Sequence, residues 1–206
     1  MPLLEVQSDF SRGIFRSRVS EAGGEMMTEY KKYFDAYCRE HGLSLHLSVD
    51  MPAGYETAKG AFDVSSKTVF INAKGLEKEP VCIKLFYLFH ELRHASQYLE
   101  PERFNETIHR SIQYVIMFDG TCYKLEKNRY LKCKLDGDER YFTNLYLGQP
   151  HEIDANTFAY EQTRKLCGDS AGLKELFDFW VPRQVVSDDE YNKIFVLIDE
   201  KTKGMT

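Results

Sequence analysis

The sequence predicts an α+β fold: a small sheet made by short local connections, packed on one buried helix and followed mostly by further helices. Three observations predict it. Strict alternation over Leu43-Ser-Leu-His-Leu-Ser-Val marks a half-buried strand, with two shorter strand patterns close behind. The run after Pro80 (Val81, Ile83, Leu85, Phe86, Leu88, Phe89) is too apolar for a surface helix and therefore belongs to a core. Helical spacing then returns from about residue 151 to near the end of the chain, so strands and helices are segregated rather than alternating. With 206 residues, 43% hydrophobic and 29% charged, the chain has an ordinary globular composition and about one domain's length.

In chain order, residues 1–24 are polar and end in Gly23-Gly24, which predicts a loosely attached N-terminal segment ahead of a single domain over 25–206. From Glu25 to Glu40, Met26, Met27, Tyr30, Phe34, Tyr37 and Cys38 recur at helical spacing, and Gly42 stands where a helix stops. The alternating strand follows. Ala61-Phe-Asp-Val and Thr68-Val-Phe-Ile-Asn flank Ser65-Ser66-Lys67, a suitable hairpin connection. Pro80 opens a helix running through Leu99, which Glu100-Pro101 closes. A further helix is expected over Asn105–Phe118. Residues 119–150 lack clear periodicity and read as an insertion carrying a hairpin. Helices are expected at about 151–166, 171–179 and 188–201, the last with Ser187 and Glu190 as a capping box.

Composition also excludes functions. Net charge is −5, from 27 Lys plus Arg against 32 Asp plus Glu, which is unfavourable for wrapping a nucleic-acid backbone. The basic stretch Lys124, Lys127, Arg129, Lys132 and Lys134, with Tyr123 and Tyr130 interleaved, reads more simply as a solvated hairpin balanced by Asp136, Asp138 and Glu139. No window approaches the roughly 20 apolar residues of a membrane span, and the opening Met-Pro-Leu-Leu-Glu-Val has no signal-peptide pattern. Five widely spaced cysteines without a Cys-x-x-Cys pair argue against a disulfide framework and predict a reducing cytoplasm.

The sharpest feature is His90-Glu91-Leu92-Arg93-His94. On a helix, residues four apart lie one turn above each other, so two imidazoles at 90 and 94 can grip one metal ion without distorting the backbone. Glu91 is rotated by about 100° from His90, beside the ion but off the ligand axis, where its carboxylate can take a proton from a water. This is the physical content of a His-Glu-x-x-His zinc site. Two histidines and a glutamate on a core helix need partners, or they cost several kcal/mol; a zinc ion supplies them.

Tetrahedral zinc needs a third protein ligand and an open position. A third histidine six residues past the second is excluded, because that position holds Glu100. The alternative is a carboxylate from a later helix, and Pro150-His-Glu-Ile-Asp-Ala-Asn-Thr-Phe-Ala-Tyr is the best candidate. Small Ala155 and Ala159 suit close packing on the first helix, and Glu152 is the chosen ligand. Asp154 is the rival carboxylate, with His151 and His109 as rival imidazoles; each also reads as a cap or a solvated side chain.

These residues carry a resemblance. His-Glu-Leu-Arg-His-Ala-Ser-Gln, preceded by Thr68-Val-Phe-Ile-Asn and followed by Glu-Ile-Asp-Ala-Asn-Thr-Phe-Ala, resembles the ImmA/IrrE-type metallopeptidase domains of bacteria and their phages, members of the minimal gluzincin group. The resemblance covers roughly residues 60–165. It implies a zincin-like fold with a strand hairpin, an active-site helix and a glutamate-bearing second helix. It also implies His90, His94 and Glu152 as zinc ligands, Glu91 as the base, and a protein or peptide substrate, in some members a regulatory protein. The segment between His94 and Glu152 is longer here than in compact members.

For peptide hydrolysis an oxyanion donor is also expected, and Tyr141, Tyr146, Tyr160, His109 and His151 are chemically able. Arg93 faces away from both histidines and reads as a salt-bridge partner for an acid on the second helix. Tyr87 and Gln97 fall on the histidine face and line the cleft or pack beneath it. Leu176-Phe-Asp-Phe-Trp-Val reads as core. Two alternatives stand beside the enzyme: a catalytically silent binding module on the same scaffold, and a structural-zinc domain with His109 or Asp154 as fourth ligand.

Overall fold

The structure, a computed structural model, describes residues 21–127 and 129–205. It is α+β, and its described residues form eight helices and two three-stranded sheets. Helix α1 (Glu21–His41) begins within the segment expected to be loose; residues 1–20 of that segment, and the side chains of Met26 and Met27, lie outside the described residues. Tyr30, Phe34 and Tyr37 of α1 are buried, and Gly42 ends the helix at φ +68°, a conformation that costs glycine little.

The first sheet has the order β1-β3-β2, formed by β1 (His46–Ser48), β2 (Gly60–Asp63) and β3 (Thr68–Ile71). β1 runs parallel to β3, and β2 pairs with β3 as an antiparallel hairpin from Gly60↔Ile71 to Asp63↔Thr68. Asp63 closes the turn by accepting from the Ser65 backbone N–H and both serine hydroxyls. The regular part of β1 is shorter than the alternation, yet Leu43, Leu45, Leu47 and Val49 all pack on the core. Buried Asn72 caps the short helix α2 (Ala73–Leu76) and donates to the Glu56 and Ala58 carbonyls, while its backbone N–H bonds Lys59. The chain is thereby anchored just before Gly60.

Helix α3 (Val81–Leu99) fills the centre of this core, with Leu85, Phe86, Leu88 and Leu92 almost wholly buried. Helix α6 (Pro150–Cys167) packs along it, and Ala95, Ala155 and Ala159 have no exposed surface, so the two backbones approach closely. Helix α7 (Ala171–Phe179) adds Leu173 and, just beyond, Trp180 to the same core. The tail segment is core only in part, because Phe179 is 64% and Val181 42% exposed.

The expected helix over 105–118 is corrected. Helix α4 (Glu106–Ser111) is capped by Asn105 and stops at Ser111; Tyr114–Ile116 form β4. Tyr114 and Ile116 enter one apolar cluster while Val115 and Met117 enter another. A strand apolar on both faces shows no alternation in sequence, so its period of two is hidden. β4 pairs with β5 (Thr121–Glu126), and β5 with β6 (Arg129–Lys134), as an antiparallel sheet. Helix α5 (Glu139–Leu147) and helix α8 (Asp188–Thr202) cover it through Phe142, Leu145, Ile194, Phe195 and Ile198. Residues 119–150 thus hold a hairpin, as expected, and it belongs to a sheet with its own core. Ser187 caps α8 by accepting from the Glu190 N–H. Lys124 pairs with Asp199 and Lys134 with Asp119 rather than with the acids expected from sequence.

Candidate metal centre

His90 and His94 lie one turn apart on α3, and both are buried, at 5% and 0% exposure. Their Nε2 atoms face each other at 2.9 Å. Glu152, in the first turn of α6, brings Oε2 to 3.5 Å from His90 Nε2 and Oε1 to 3.7 Å from His94 Nε2. One donor atom from each of the three residues lies within 4.8 Å of the others, a buried His-His-Glu group that can hold a metal ion. Two imidazole nitrogens and a carboxylate are a donor set that suits a divalent cation such as zinc.

The fit is also shown by what the group lacks. Glu152 Oε1 and His90 Nδ1 are buried without a hydrogen-bond partner. Two facing imidazole nitrogens must share a proton or a cation, since bare lone pairs at that distance repel. Burial and the neighbouring His94 push the His90 pKa down to about 3, against the pull of Glu152. Burial acts the same way on His94, but the Glu152 carboxylate overrides it and holds that pKa up. For Glu152 burial opposes ionisation, yet the surrounding histidines keep its pKa low. The group therefore carries a carboxylate facing nitrogens that compete for one positive charge.

The ring of His94 is oriented by a chain of hydrogen bonds. Nδ1–H donates to Gln97 Oε1 at 2.8 Å, which leaves the Nε2 lone pair for the centre. Gln97 Nε2 donates to the His151 carbonyl at 2.9 Å and to Asp154 Oδ2 at 2.8 Å. Arg93 grips the same Asp154 through two bonds of 2.7 and 2.9 Å, with its guanidinium over the rings of Phe104 and Phe158. Arg93 is thus paired with an acid of the second helix, and Asp154 is committed to that pair rather than to the three-residue group. Tyr37 Oη and Ser96 Oγ, 2.6 Å apart, tie α1 to α3.

Glu91 is 2% exposed and packs against β2. A Cβ at Gly60 would stand 2.7 Å from both Cγ and Oε1 of Glu91, so only glycine lets the strand come this close. Burial, reinforced by the Glu152 charge, pushes the Glu91 pKa up to about 8. Its Oε2 is buried without a partner.

The remaining expected residues divide sharply. His109 is exposed on α4, Tyr141 is 43% exposed on α5, and Tyr160 stacks on Phe177 with ring centroids 4.5 Å apart. None of these three joins the group. His151 and Tyr146 are buried, and the Glu152 charge reaches both. Tyr87 is buried against Phe86. Sequence reasoning missed Gly60 and Tyr98. Tyr98 has a buried hydroxyl, and burial with the nearby Tyr130 and Glu152 raises its pKa far above the usual value. Its position seven residues after Glu91 and four after His94 was a legible signal, because those spacings share one helix face.

No family model, curated protein or solved structure matches this chain. All five cysteines are free, and among the described residues no helix is long and apolar enough to cross a membrane.

Proposed function

We propose that this protein is a zinc-dependent metallopeptidase of the gluzincin type, similar to ImmA/IrrE domains, that cleaves a protein or peptide in the cytoplasm. The observation that carries the reading is the convergence of His90, His94 and Glu152 from two helices on one buried point, with Glu91 beside them. His90, His94 and Glu152 would hold the ion. Zinc, when bound, supplies Lewis acidity that lowers the pKa of water to about 7 and polarises a scissile carbonyl. Glu91 accepts a proton from the attacking water and returns it to the leaving amine. Gly60 fixes where the Glu91 carboxylate stands, and Gln97 fixes which nitrogen of His94 is free. Tyr146 and Tyr98, which the Glu152 charge reaches, are the tyrosines we put forward as oxyanion donors.

The low exposure of all four groups (His90 5%, Glu91 2%, His94 0%, Glu152 2%) favours a second reading, a structural or catalytically silent metal centre. The fourth ligands expected for a structural site do not support it, since His109 is exposed and Asp154 is held by Arg93. Elemental analysis of purified protein, with a peptidase assay on Glu91→Gln, separates the readings. The expected result is one zinc per chain in both forms, with turnover reduced about 10²–10⁴-fold in the variant. Full activity in Glu91→Gln would overturn the enzyme mechanism, and absence of metal in the parent would overturn the centre itself.

A further inference from the structure

A third imidazole lies beside the three-residue group without belonging to it. His151 immediately precedes Glu152 on α6 and is fully buried. Its Nδ1 is 2.5 Å from the hydroxyl oxygen of Ser111, the last residue of α4, and its own backbone N–H donates to that oxygen at 3.4 Å. Its Nε2 faces Glu152 Oε1 at 3.6 Å, and both atoms are buried with no hydrogen-bond partner. An orphaned donor site and an orphaned acceptor thus confront each other.

The proton assignment follows from which atoms can coexist. A bare Nε2 lone pair would set two buried acceptors against each other, so Nε2 carries hydrogen. In the neutral ring Nδ1 is then an acceptor. The Ser111 hydroxyl, which takes the backbone N–H on its oxygen, has its single hydrogen available for Nδ1.

We infer that Ser111 and His151 are positioning residues for the third metal ligand: Ser111 selects the tautomer, and His151 Nε2–H holds Glu152 Oε1. This inference rests on the metal-centre reading above. It gives Glu152 an outer partner equivalent to the one Gln97 gives His94, from a residue that the ligand spacing alone would assign as a ligand or a cap. When an ion engages the carboxylate, one buried oxygen still needs a donor, and among the described residues His151 presents it. Losing such an outer partner typically weakens metal binding by about 10–100-fold without removing a ligand.

The test measures zinc affinity of the full chain by competition with a chromophoric chelator, together with the visible spectrum of the Co²⁺-substituted protein. His151→Phe is expected to weaken zinc binding about 10–100-fold while keeping the parental Co²⁺ band positions. His151→Gln, whose carboxamide N–H can still reach Glu152, is expected to recover part of that loss. Ser111→Ala should weaken binding by a smaller factor, and it remains informative if His151→Phe does not fold. Unchanged zinc affinity in folded His151→Phe and Ser111→Ala would overturn the inference while leaving the metal centre standing. A shifted Co²⁺ spectrum with affinity as low as in Glu152→Ala would overturn it by making His151 a ligand. A parent chain that binds no zinc would instead bring down the metal-centre reading on which the inference stands, and the inference with it.

Discussion

The two halves of the candidate centre are built by different means. On α3, His90, Glu91 and His94 are placed by the pitch of one well-packed helix, and their separation is fixed as soon as that helix forms. On α6, Glu152 sits in the first turn, which begins at Pro150 and whose leading backbone N–H groups have no partner within the helix. That end is secured from outside. Gln149 accepts from the Ile116 N–H at 2.9 Å and donates to the Ile116 carbonyl at 3.1 Å, Ser111 holds His151, and Arg93 with Gln97 holds Asp154. One half needs local geometry; the other needs three long-range ties. The α6 half should therefore be sensitive to substitutions far from any ligand, and the α3 half should not.

The largest effect is expected from the ligands themselves. Glu152→Ala should abolish stoichiometric zinc, and acid should mimic it, because protons compete for the same nitrogens. The Glu152 carboxylate holds the His94 pKa up in the metal-free centre, so zinc affinity should fall as pH is lowered, by about tenfold per unit for each proton displaced. Affinity that is flat from pH 8 to pH 6 would mean that His94 gives up no proton when the ion binds. A smaller loss is expected from Gln97→Leu, which removes the acceptor on His94 Nδ1 and the bridge from that ring to Asp154 and the His151 carbonyl. Zinc affinity should drop about 10–100-fold by chelator competition, with helix content by circular dichroism retained. The smallest and most diagnostic is Gln149→Ala, which touches no ligand and leaves the buried N–H and C=O of Ile116 unpaired. Chemical denaturation should show a loss of about 2–4 kcal/mol, with a several-fold weaker zinc site. Unaltered metal binding in that variant would break the contrast between the two halves.

Much of this was open to sequence reasoning, and the failures have a common cause. The α3 helix, its apolar face and its motif could be read because helical periodicity acts over a few residues. The hairpin of β2 and β3 was legible because its turn is local. Strand β4 was misread as helix because it is apolar on both faces, and only pairing with β5 distinguishes it. Residues 119–150 lack clear periodicity because the sheet they build is covered by α8, distant in the chain. Gly60 gave no periodic signal at all. Its meaning appears only when the Glu91 side chain is found where a Cβ would be.

What the sequence determined alone is the pair of histidines one turn apart with a glutamate between them, and the buried character of the helix that carries them. A period of 3.6 residues is a property of the backbone and requires no knowledge of the rest of the molecule. Only the tertiary structure decided that Glu152 meets them, that Asp154 is occupied by Arg93, and that His151 faces the carboxylate from behind. Those outcomes depend on the angle and depth at which α6 lies on α3. These are set by side-chain packing and long-range hydrogen bonds, which no short window of sequence records.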